Sequence, residues 1–110
     1  MGKVEKFLAV PVKVILGGEE ESIMPFTLED LPMINKISNN DSNIRAEGLE
    51  EAIFKIMKQV DSTTTIEQVK KFSMKSVEEL SDVIGKVNEL DVDKAKQALI
   101  DKLKTKSVGN

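Results

Sequence analysis

The chain has 110 residues, 40% of them apolar, and its 16 basic against 19 acidic residues leave a net charge of −3. It contains no Cys, His, Trp or Tyr and only four Phe. Those gaps exclude disulfides, thiol and imidazole chemistry, His or Cys metal centres and Trp or Tyr stacking platforms, and the missing Cys fits a reducing compartment.

The first apolar stretch, 7–12, is interrupted by Pro11 and is too short to span a membrane. Glu5 is out of place in a secretory leader, and Lys6 stands where a myristoylation signal has Ser or Thr. A cytoplasmic protein without membrane contact is the expectation. Val10, Val12, Val14 and Leu16 then alternate with Pro11, Lys13 and Ile15, the period of a strand, with Pro11 confining it to an edge or a strand start. Gly17-Gly18 supplies a tight turn, and a return strand through Phe26 gives a β-hairpin over about 10–26. Two strands alone are marginal in water, so the hairpin must lie on helices or on a partner's sheet.

From Thr27 the period becomes helical. Thr27-Leu28-Glu29-Asp30 reads as a capping box, with Leu28, Leu31, Ile34 and Ile37 as the following seam. Pro32 requires either a later start near Asp30 or an irregular first turn. A polar loop over 38–43 precedes a helix over about 44–60, with Leu49, Ile53, Ile56, Met57 and Val60 on one face. Glu47, Glu50 and Glu51 are placed to pair with Lys55 and Lys58 along that helix.

Thr65-Ile66-Glu67-Gln68 opens a short helix to about Phe72, and Ser76-Val77-Glu78-Glu79 opens a longer one with Val77, Leu80, Ile84 and Val87 on its seam. Asp91 or Asp93 caps a last helix carrying Val92, Ala95, Leu99 and Leu103, and 105–110 should form a flexible tail. The fold class expected is α+β, mostly α: a hairpin and then four to five short helices (about 27–104) in a single domain, 1–104.

Few patterns suggest chemistry. Asn39, Asp41, Asn43 and Glu50 have the oxygen spacing of a calcium loop, but that loop wants Asp first and Gly sixth, where this chain has Asn39 and Ile44. Gly17-Gly18 is followed by three glutamates that would repel a phosphate. Carboxylates at helix starts, such as Glu50 and Glu51 or Glu78 and Glu79, are favoured as anions, which suits a solvated surface better than a general acid. No catalytic, cofactor or metal residue is therefore assigned, and an enzyme is not expected.

Charge is unevenly placed. Between Leu16 and Leu31 there are five acids (Glu19, Glu20, Glu21, Glu29, Asp30) and no base, whereas Lys94, Lys96, Lys102, Lys104 and Lys106 crowd the end of the chain. These ends can pair within one molecule or between subunits, or the lysines can simply complement a helix dipole. There is no basic recognition helix, so nucleic acid is not an expected partner.

The order of features resembles the tail assembly chaperones of long-tailed bacteriophages. Val12-Lys13-Val14-Ile15-Leu16-Gly17-Gly18-Glu19-Glu20 looks like their strand-Gly-Gly-strand opening. Met24-Pro25-Phe26-Thr27-Leu28-Glu29-Asp30-Leu31 is similar to their passage from hairpin to first helix, and Ser76-Val77-Glu78-Glu79-Leu80 to their late helix. The likeness is confined to about 12–90. It implies a protein that is not an enzyme, that coats a tape measure protein and recruits tail tube protein in the host cytoplasm, and that forms a homo-oligomer.

Helix-in-groove packing suits such a long helical partner. Leu99 and Leu103, with Lys94 and Lys96, are the candidate partner-binding residues on the last helix, and Val12 and Val14 are those on the hairpin. Met24, Met33, Met57 and Met74 offer adaptable apolar surface or core filler. A small helical adaptor or regulatory protein–protein interaction module is the alternative.

Overall fold

The computed structural model describes residues 2–108, with side chains described as far as 104. The fold is α+β and mostly α. A 3₁₀ turn, Lys3–Phe7, leads into β1 (Val12–Leu16) and β2 (Glu19–Ile23); α1 (Leu31–Ile37), α2 (Ser42–Val60), α3 (Ile66–Val69), α4 (Met74–Asn88) and α5 (Asp93–Val108) follow.

The hairpin is antiparallel, with Leu16 opposite Glu19 and Val12 opposite Ile23. Gly17 and Gly18 both hold positive φ, 57° and 83°, as a two-residue hairpin turn of this hand requires. Its strands are shorter than the sequence suggests. Pro11 offers no N–H to extend β1, and beyond Ile23 other partners take the backbone donors. The Met24 N–H donates to Gln59 Oε1 of α2 at 2.7 Å, and the Phe26 N–H to Asn88 Oδ1 of α4 at 2.6 Å. At the turn, the Gly17 N–H donates to Glu79 Oε2 of α4 at 2.8 Å. The support that two strands need thus comes from the chain's own helices.

The inner face of the hairpin feeds one core. Ile23, Leu49, Ile53, Ile56 and Ile84 are fully buried, with Ala46 and Ala52 letting neighbours approach α2 closely. The α2 seam reads as its periodicity predicts. Gly48 also lies on this helix, at its crossing with α1, where a Cβ would stand 2.6 Å from Lys36 Cβ and 2.7 Å from the Ile37 backbone nitrogen. Only glycine allows that approach.

Several local readings change. The Thr27–Asp30 box is present, but it caps a separate 3₁₀ turn, Leu28–Asp30. Helix α1 starts anew at Leu31, which puts Pro32 in its first turn, where proline is tolerated. The break in period turns Leu28 and Leu31 outward, so only the later part of the expected seam is covered. Helix α4 starts earlier than Ser76: Ser73 is its cap, accepting from the Ser76 N–H at 3.1 Å. That leaves Glu79 free of capping duty and able to hold the hairpin turn.

Among the described residues, the ion pairs of α2 reach across to other elements rather than along the helix. Lys36 of α1 bonds Glu51 at 3.0 Å and Glu47 at 3.2 Å, and Lys55 pairs with Asp30. In the loop before α2, Asp41 spends its carboxylate as the N-cap, accepting from Asn43 and Ile44, so the calcium-like spacing is a capping structure. Helix α5 continues to Val108 through the beginning of the expected tail over 105–110; residues 109–110 lie outside the described residues. No helix among the described residues is long and apolar enough to cross a membrane.

Candidate functional site

The six partner-binding residues read from the sequence do not form one surface. Leu99 is 6% exposed and belongs to the core, so it is not an anchor offered to a partner in this conformation. Helix α5 packs along α2 and against α4, and its Ala95, Leu99 and Ile100, with Val92 just before it, are buried in the core, with Leu103 half-buried. Lys96 pairs with Asp82 of α4 at 3.2 Å instead of reaching the hairpin acids, and Lys94 is exposed. Val12 and Val14 are half-buried on the inner hairpin face. Helix α4 packs against both β1 and α5, the two elements that carry these residues.

A different apolar surface stands open. Phe7 is 85% exposed, Leu8 61%, Leu28 82% and Leu31 44%. All four border one shallow hollow of about 730 Å³, with Pro25 and Phe26 between them. Contiguous exposed apolar residues carry more information than scattered ones, because soluble surfaces rarely cluster them. The sequence signal was present in Leu28 and Leu31, but their helical spacing placed them in a core seam. Phe7 and Leu8 carried no period at all.

Local chemistry fixes the part of this surface that carries Phe26 and Leu28. The Thr27 N–H donates to Asp30 Oδ2 at 2.8 Å, and the Asp30 N–H to the Thr27 carbonyl at 2.9 Å, which sets the 3₁₀ turn bearing Leu28. Asp30 is only 7% exposed, and Lys55 of α2 bonds its other oxygen. Burial pushes the Asp30 carboxyl up, but the Lys55 ammonium and the Thr27 N–H and hydroxyl outweigh it and hold the group below its usual value. Phe26 is held from behind by Asn88, whose Nδ2 donates to the Ile84 carbonyl at 2.9 Å. Nearby, Glu51 and Glu47 hold the Lys36 ammonium above its usual value, against a smaller opposing effect of burial.

Among the described residues, no group of three or more His, Cys, Asp or Glu is arranged to hold a metal ion. The arrangement can contribute contacts: an apolar face whose side chains face solvent and whose segment over 24–30 is tied to α2 and α4. Compared with family models, curated proteins and solved structures, the chain gives no match.

Proposed function

We propose that this protein is a non-enzymatic assembly chaperone of the kind it resembles in long-tailed bacteriophages. It binds the tape measure protein, keeps that long helical chain soluble, and helps recruit tail tube subunits in the host cytoplasm, acting as a homo-oligomer. The observation that supports a binding role is the open apolar face of Phe7, Leu8, Leu28 and Leu31. Covering apolar surface gives roughly 25 cal/mol per Å², so a helix laying its own apolar stripe here gains from each side chain it covers. The tail-assembly assignment itself rests on the resemblance over 12–90.

Co-expression with the tape measure protein of the genome that carries this gene tests the reading. A soluble complex, with the tape measure protein insoluble when expressed alone, is the expected result. A tape measure protein that remains insoluble and unbound beside the folded chain contradicts it.

A further inference from the structure

A second hollow, of about 280 Å³, lies where the hairpin turn meets α2 and α4. Leu16, Met57, Phe72 and Leu80 give it apolar walls. The charged residues that line it are all acids: Glu19 and Glu79, both exposed, and Glu21, half-buried. Glu79 is anchored by the Gly17 N–H, and no ion pair joins any of the three to a lysine or arginine of this chain among the described residues.

We infer that this slot receives one long basic side chain, an arginine or a lysine, from a helical segment of a partner protein. The match is between two kinds of surface. A methylene stem suits the apolar walls, and a cationic head suits the lining glutamates, of which Glu19 and Glu79 are exposed, the division that long basic side chains make at any apolar–water boundary. Charge-assisted hydrogen bonds from the head are the stronger class, and a guanidinium can engage two carboxylate oxygens at once. A polyamine fits less well, because its charges recur along the whole molecule and would enter the apolar part. None of the residues named here borders the hollow of Phe7 and Leu28, so the inference stands independently of the tail-assembly reading.

The test uses two short alanine-based helical peptides that differ at one position. One carries Arg between two leucines a helical turn away on either side; its twin carries norleucine there. Titration of the full chain, followed through its backbone amide NMR shifts, should show saturable movement of Gly17, Glu19 and Glu21. The Arg peptide is expected to bind about fivefold or more tightly than the norleucine twin. Glu21→Gln should remove at least about threefold of that affinity, whereas Glu78→Gln, the same charge lost one residue from Glu79, should leave it unchanged. Should Glu21→Gln lower the melting temperature, Glu19→Gln at an exposed position gives the same reading. Equal affinity of the twins overturns the inference. So does equal weakening by the Glu78 variant, absence of slot shifts up to about 2 mM peptide, or spermidine binding as tightly as the Arg peptide.

Discussion

Asn88 Oδ1 accepts the Phe26 backbone N–H at 2.6 Å, joining the end of α4 to the segment that leaves the hairpin. The two residues are 62 apart in sequence, and the bond is partly buried. It satisfies a donor that β1 no longer reaches, and it sets the backbone just behind Leu28. Asn88→Ala removes the acceptor and leaves the N–H without its partner. The expected cost is about 1–2 kcal/mol, read as a lower urea midpoint with unchanged slope.

Asp30 makes stability depend on acid. Its carboxyl is held below the ordinary value of 3.8, so the stabilisation it contributes is fully present above that value. It is lost as pH falls through the folded-state value. Asp30→Asn should therefore destabilise the protein at neutral pH, and the gap to wild type should close as pH is lowered below 3.8. Lys36 acts in the opposite sense: its contribution is present below its ordinary 10.5 and is lost as pH rises through its raised value. Thermal melts of wild type and variant across the acid range check the first sign, and alkaline melts the second.

Gly48→Ala sets helix propensity against space. Alanine is favoured over glycine in a helix by about 1 kcal/mol. A Cβ here would press on Lys36 Cβ at 2.6 Å and on the Ile37 nitrogen at 2.7 Å, and the latter is backbone that cannot rotate away. Sterics win. A net loss of about 1–3 kcal/mol in chemical denaturation is expected.

The sequence was most legible where period and turn chemistry agree. Leu49, Ile53 and Ile56 recur at helical spacing, and each is buried. Gly17-Gly18 and the Thr65–Gln68 box define their turns by local bonding alone, so both are found where expected. Ser76 misled because Ser73, three residues earlier, competes for the same capping role and wins. Leu28 and Leu31 misled for a different reason: the separate 3₁₀ turn Leu28–Asp30 ahead of α1 shifts the phase between them, and no single-helix period records that shift. The pairs Gly17–Glu79, Met24–Gln59 and Phe26–Asn88 join residues distant in sequence through backbone donors, which leave no trace in composition. The candidate site was the least legible part for the same reason: it is assembled from segments whose proximity only the fold creates.

Leu99 and Leu28 separate core from surface. Leu99 is 6% exposed between α5 and the rest of the core, so Leu99→Ala should cost about 2–4 kcal/mol. Leu28 is 82% exposed, and Leu28→Lys should stay within about 0.5 kcal/mol of wild type. Paired urea titrations decide this, and a severe loss from Leu28→Lys would mean that the residue is packed.

The open apolar face as the partner's binding surface is tested most directly by the Phe7→Ser, Leu28→Lys double variant. Its retention of the co-expressed tape measure protein is measured against wild type at matched melting temperature. At least about a tenfold loss of complex is predicted, since two apolar anchors of about 1 kcal/mol or more each would be removed. Undiminished complex from a folded double variant would contradict the claim.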